Sequence, residues 1–319
     1  MMLGSAIEAE IMSILAGLMG LCVGDALGVP VEFTSRSQRQ IQPVTTMQGY
    51  GTWNQPPGTW SDDSSLTFCL AESLCQGFNL ADIGDRFCRW YQQSYWTARN
   101  ETFDVGDTTA QAINRMLQGV PPLEAGGTSE RSNGNGSLMR ILPMAFLHSK
   151  LNFPDLIDRV HQVSCITHAH PRSQMACGIY VSIAIALLQG DDPHTAYQKG
   201  CNRISPLYKL PFFQPELKHF DRLFQDEIHQ QSIDSIGSSG YVIDTIEAAL
   251  WCLLNGKTYA ETVLTAVNLG DDTDTTAAVT GGLAGIYYGF EAIPKDWIEA
   301  IARRDDIIDL ATRFAAVCG

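Results

Sequence analysis

The 319-residue chain is 45% hydrophobic and 18% charged, an ordinary globular composition with enough apolar material for a large core. Its 35 acidic and 21 basic residues give a net charge of −14, and with no dense run of Lys and Arg an extended nucleic-acid surface is excluded. Nine scattered cysteines without a CxxC pair argue against a disulfide framework or a zinc site, and for reduced thiols in a cytoplasmic protein.

The first predicted helix spans 11–27. Its apolar run, 11–23, follows Glu8 and Glu10, has no basic residue ahead of it and is too short to span a bilayer. It reads as a buried first helix, and no membrane association is expected. Gly28 and Pro30 end it abruptly and leave Glu32 on a loop or turn. Further helices are predicted at 64–76, 80–94, 108–117, 138–148, 154–167, 174–188, 245–253, 259–267, 276–288 and 297–317. In each, apolar residues recur at intervals of three and four, and several starts carry Ser, Thr or Asp. Period-two alternation is scarce. The expectation is an all-α, compact multi-helix domain covering 1–319 as one unit, since no linker-like stretch divides it, and a monomer.

Two acidic segments stand out. Ser61, Asp62 and Asp63 open the 64–76 helix, and Asp271, Asp272, Asp274 and Thr275 precede the 276–288 helix. Helix capping accounts for any one of these residues. It does not account for the excess, because a cap needs one side-chain oxygen. No Lys, Arg or His occurs between Gln40 and Asp85 or between Thr258 and Pro294 to neutralise them. Such carboxylates stay in water, raise a pKa or share a cation. If the fold joins the segments, a cation held by hard oxygens would be Mg²⁺ or Mn²⁺ rather than Zn²⁺. On this chemistry alone capping and metal binding remain equally open.

Asn133-Gly134-Asn135-Gly136-Ser137 is a turn leading into the predicted 138–148 helix. It is either an ordinary flexible turn or a row of backbone N–H groups suited to a phosphate, with Arg140 in the first helical turn adding charge. His168 and His170 have x-H-x-H spacing, but zinc would need further ligands that are not indicated nearby. Tyr241 is either an aromatic platform or an ordinary core or surface tyrosine.

Ser-Asp-Asp at 61–63 and Asp-Thr-Asp-Thr at 272–275 resemble the paired metal-binding signatures of the ADP-ribosylglycohydrolase family. The blocks 24–33, 134–140, 167–168 and 240–242 match that family in the same order, so the resemblance runs from about residue 11 to about residue 290. It implies an all-helical orthogonal domain with two Mg²⁺ or Mn²⁺ ions held by Ser61, Asp62, Asp63, Asp272, Asp274 and Thr275. Ser61 replaces the commoner Thr but keeps the hydroxyl. Asp271 stands where many members have glycine and is left out of the ligand set. The resemblance assigns Asn135, Gly136, Ser137, Met139, Arg140, His168 and Tyr241 to ADP-ribose. It makes Glu32 a mobile, substrate-facing carboxylate, as in the branch that cleaves oxygen-linked ADP-ribose, and Asp104 a second acid near the scissile bond. The implied activity is metal-dependent release of ADP-ribose from an ADP-ribosylated protein or small-molecule conjugate. The alternatives are a two-metal nucleotide phosphohydrolase and a non-catalytic ADP-ribose-binding or structural member of the fold.

Overall fold

A computed structural model describes residues 2–318. Among these residues there are fifteen α-helices. The first eight are α1 (Met2–Gly28), α2 (Arg36–Ile41), α3 (Asp62–Leu74), α4 (Leu80–Gln93), α5 (Asp107–Leu117), α6 (Pro122–Ala125), α7 (Phe153–Cys165) and α8 (Pro171–Leu188). The others are α9 (Pro193–Tyr208), α10 (Asp221–Phe224), α11 (Val242–Asn255), α12 (Tyr259–Val267), α13 (Thr273–Tyr288), α14 (Lys295–Ala300) and α15 (Arg304–Cys318). The only β pairing among the described residues is three isolated bridges, so the fold is all-α as expected.

Most predicted segments fall on these helices with ends shifted by a few residues. The 138–148 segment does not: it runs through turns into a 3₁₀ helix, Leu142–Ser149, with Pro143 near its start. Proline has no N–H to give the α-helical bond back to residue 139. The 297–317 segment is broken between α14 and α15, where Arg303 adopts φ +50°. Four helices were not predicted: the one-turn α6 and α10, and the longer α2 and α9. In α2, Ser35 and Gln38 form a capping box. In α9, Asp192 caps the start and Pro193 holds the first turn, but the polar composition hides the apolar period.

The molecule is built around α1. The apolar span Ile7–Val31 is longer than the run that predicted it and, by length and composition, could cross a membrane; here its most apolar 18-residue stretch is enclosed by protein, while Ile7 at its start is exposed. Its neighbours are α3, α12, α13 and α15. The tightest packing is against antiparallel α13. A Cβ on Gly281 would sit 2.3 Å from the Gly20 carbonyl oxygen, and one on Gly24 would sit 2.1 Å from that of Ala277. Glycines here let the two backbones touch at the cost of some helix propensity. The hydroxyls of Tyr259 and Thr273 then donate to the carbonyls of Gly20 (2.7 Å) and Gly28 (2.8 Å).

Gly281→Ala should therefore cost about 1–3 kcal/mol of stability, the usual effect of overpacking a tight contact. Urea unfolding measures this, and an unchanged midpoint would mean that the two helices separate freely.

Candidate active site

The α1–α13 contact has a chemical consequence at one end. A Cβ on Gly28 would lie 2.3 Å from Asp274 Cα, so the C-terminal turn of α1 meets the N-terminal turn of α13. Asp25, buried in that last turn of α1, also reaches the start of α3. Its Oδ1 accepts from the Ser61 N–H at 2.9 Å, and its Oδ2 accepts from the Ser64 N–H at 3.0 Å and the Ser64 hydroxyl at 2.6 Å. Three helix ends converge here.

Capping at α3 is thus done by Asp25 and by Ser61, whose Oγ accepts from the Asp63 N–H at 3.3 Å. Asp62 and Asp63 are surplus to it. Asp63 Oδ2 accepts from the Ser61 hydroxyl at 3.1 Å, whereas its buried Oδ1 has no partner. The pattern repeats at α13. Asp272, at the N-cap, makes no side-chain cap bond and accepts instead from Asn135 Nδ2 at 2.8 Å. Asp274 Oδ1 accepts from the Thr275 N–H at 3.0 Å, and its buried Oδ2 has no partner. Carboxylate oxygens of Asp25, Asp63 and Asp274 lie within 4.8 Å of one another, as do those of Glu32, Asp272 and Asp274. The two acidic segments, more than two hundred residues apart in sequence, form one pit with Asp274 at its centre.

Among the described residues no ion pair reaches these carboxylates. Burial first, and then their mutual repulsion, push Asp62, Asp63 and Asp274 well above the ordinary carboxylate range. Burial moves Asp25 and Asp104 up to about 6. Burial and the nearby Asp104 move Glu32 to about 9. Two orphaned oxygens inside an unneutralised cluster of hard donors form a donor set that suits divalent cations.

Above the pit opens a cavity of about 270 Å³. One wall carries Glu32, Asp62, Asp104, Asp272 and Thr275, and the other carries Asn135, Gly136, Met139 and His168. Ser61, Asp63 and Asp274 lie beneath this lining. Glu32 follows the 3₁₀ turn Val29–Val31, as the Gly28 and Pro30 signals suggest. Its carboxylate is buried and accepts from the Trp53 ring N–H, and Thr52 donates to its carbonyl at 2.7 Å. It faces the cavity as a tethered group, not a free one. Asp104 is held at φ +54°, a left-handed conformation uncommon outside glycine.

The opposite wall is stitched from loops. Gly134 bridges to Tyr241, and the Asn135 N–H donates to the Gly240 carbonyl at 3.0 Å. Gly127 bridges to His168. His168 Nδ1 pairs with the Thr167 hydroxyl at 2.8 Å, and burial, with Arg140 nearby, lowers its pKa to about 3, so the ring is neutral at pH 7. Arg140 does not reach the cavity. Fully buried, it donates to the Gly136 carbonyl and to the Thr167 hydroxyl at 2.7 Å, and it lies over the Phe87 ring. The absence of the expected α-helix removes the first-turn geometry that would have aimed it at a phosphate, and it shapes the loop from behind. Ser137 is also buried, accepting from the Ser164 hydroxyl at 2.9 Å. Tyr241 is not in the cavity lining, and its phenol oxygen accepts from Arg172 at 2.9 Å. Asp25 had no role in the sequence reading. A lone Asp inside the apolar 11–27 run was the available signal, because a buried carboxylate there requires partners.

A family model described as ADP-ribosylglycohydrolase matches residues 8–319. The chain is 32% identical to an ADP-ribosylarginine hydrolase Tri1 of Serratia proteamaculans (strain 568), covering 93% of this chain and 77% of the relative. It is also 32% identical to an ADP-ribosyl-[dinitrogen reductase] glycohydrolase of Rhodospirillum rubrum, over 90% of this chain and 89% of that protein. It is 23% identical to human ADP-ribosylhydrolase ARH3, over 89% and 86%. A solved structure titled an ADP-ribosylglycohydrolase-related protein complex superposes with a TM-score of 0.81 at 31% identity, covering 98% of this chain and 100% of that one.

Asp274→Asn should leave the metal-free protein at least as stable as the wild type. The amide keeps the Oδ1 acceptor and replaces the orphaned Oδ2 with a donor facing carboxylates, a gain on the order of 1 kcal/mol. Melting in chelator-treated buffer measures it. A marked drop would mean that the carboxylate already has a stabilising partner.

Proposed function

The chain belongs to the ADP-ribosylglycohydrolase family, whose members hydrolyse conjugates of ADP-ribose, and we propose that it does so with two Mg²⁺ or Mn²⁺ ions held in the acidic pit. The ligands would be Ser61, Asp62, Asp63, Asp272, Asp274 and Thr275. The observation that carries this reading is the pair of buried, partnerless oxygens, Asp63 Oδ1 and Asp274 Oδ2, in a cluster without counter-charge. Bound divalent cations supply orientation of the ribose hydroxyls and stabilisation of transition-state charge.

The remaining chemistry falls to the chain's own groups. The distal ribose enters between the carboxylate wall and the Asn135–Gly136 wall, and the loop amides face its diphosphate. Neutral His168 offers hydrogen bonding without adding charge, and Met139 gives an apolar contact. Arg140 and Ser137 hold the loop in shape from the interior. Glu32 and Asp104 flank the reacting carbon. One orients the attacking water and takes its proton, and the other passes a proton to the departing group as positive character develops on the sugar.

For the acceptor we propose arginine. Glu32 taken by itself leans toward an oxygen-linked acceptor. The cavity lining, however, includes Glu32, Asp104 and Asp107, acidic groups that suit a guanidinium, and the relatives named as arginine hydrolases share 32% identity against 23% for human ARH3.

Incubation with Arg-linked and Ser-linked ADP-ribosyl peptides, with and without EDTA, tests the reading. Free ADP-ribose should appear from the Arg-linked peptide and stop with EDTA. Release of inorganic phosphate from nucleotides, or turnover indifferent to EDTA, would contradict it. Glu32→Gln should bind ADP-ribose nearly as well as the wild type while turnover falls at least about tenfold, a barrier increase of about 1.4 kcal/mol. Wild-type rates on both linkages would make Glu32 a bystander.

A further inference from the structure

Away from the acidic pit the protein holds a buried cation with nothing to pair with. Arg39, in the last turn of α2, is only 8% exposed, and its Nε is buried without a partner. No hydrogen bond or ion pair among the described residues engages its guanidinium. Arg36, one turn earlier, shows the contrast: it donates to the carbonyls of Leu269, Ile233 and Ile236 and is fully used. Nor does the nearby sequence offer a counter-ion, since no Asp or Glu occurs between Phe33 and Ser61 in a chain with net charge −14. Removing a guanidinium from water without a partner is expensive, and an acidic protein has many carboxylates with which to avoid it.

Arg39 lines a recess of about 290 Å³ together with Pro30, Val31, Gln42, Gln48, Gly49 and Gly51. The lining contains no carboxylate, and exposed Gln42 and Gln48 bring carboxamide donors to it. We propose that this recess binds a small phosphate-type oxyanion, held bidentately by the Arg39 guanidinium. The planar fork of arginine matches two oxygens of such an anion, and the sheltered position strengthens the contact. The site is separate from the acidic cavity, with which it shares no lining residue. Pro30 and Val31 line the recess, while the next residue, Glu32, lines the cavity.

The test uses full-length protein with saturating ADP-ribose in the main cavity, so that any second anion must bind elsewhere. Sodium sulfate, a phosphate analogue that does not strip divalent ions, is titrated at constant ionic strength balanced with sodium chloride while melting is followed. The wild type should show a saturable rise in Tm at millimolar sulfate. Arg39→Gln should lose the response, and Arg39→Lys, which keeps the charge but not the fork, should bind sulfate at least tenfold more weakly. Without sulfate, Arg39→Gln should melt no lower than the wild type, because the guanidinium has no protein partner to lose. A sulfate response equal in wild type and Arg39→Gln, no response in the wild type, or a response abolished by ADP-ribose would overturn the proposal. So would a sulfate-free Arg39→Gln that melts well below the wild type, since the guanidinium would then be serving the fold.

Discussion

The close crossing of α1 and α13 is the contact on which the site depends. Glycine at 20, 24 and 28 on one helix and at 281 on the other removes the side chains that would keep the backbones apart. Only at that separation do Asp25, on the final turn of α1, and Asp274, on the first turn of α13, bring oxygens within 4.8 Å of each other and of Asp63. Asp25 then ties in α3 by accepting from Ser61 and Ser64. The N-termini of α3 and α13 both open at the acidic cluster, and their partial positive charge offsets part of its repulsion. The offset is incomplete, as the raised pKa values of Asp62, Asp63 and Asp274 show. The protein keeps a locally unfavourable cluster in its interior because the surrounding helices are packed tightly enough to hold it, a common pattern where function opposes stability.

The cavity joins two different kinds of structure. On the acidic wall Asp62, Asp272 and Thr275 come from the ends of long helices and are placed by core packing, whereas Glu32 and Asp104 reach it from a turn and a loop. The opposite wall comes from loops, which have no core of their own and are fixed by short pairings instead. Gly134 with Tyr241 and Gly127 with His168 are isolated bridges, and Arg140 ties Gly136 to Thr167 from inside. Arg172, bonded to Glu130, Glu216 and the Tyr241 phenol, joins the start of α8 to both flanking loops. Buried arginines thus do on the loop side what glycine contacts do on the helix side.

Much of this could be read from residue order. Helical periodicity located most of the helices, and the surplus of carboxylates over what capping needs marked both halves of the pit. What escaped did so for physical reasons. Asp25 is one polar residue in an apolar helix, and nothing in its neighbourhood in the sequence announces that its partners lie at 61 and 64. Pro143 turned a segment with an α-like apolar pattern into a 3₁₀ helix, and with that Arg140 moved from an expected ligand contact to an interior brace. The Gly28 and Pro30 signals placed Glu32 on a turn facing the cavity, but its tether to Trp53 arises from the fold. Arg39 drew no reading from the sequence, since the absence of a partner can be seen only in three dimensions.

The central claim is that the convergent carboxylates exist to hold divalent cations, and direct measurement of bound Mn²⁺ tests it most simply. Equilibrium dialysis of the substrate-free protein, read by the electron paramagnetic resonance signal of free Mn²⁺, gives stoichiometry without reference to turnover. The account predicts two tightly bound ions per chain in the wild type, and loss of tight binding when Asp63 and Asp274 are both replaced by Asn. Wild-type protein that retains no Mn²⁺, or a double variant that retains as much as the wild type, would contradict it.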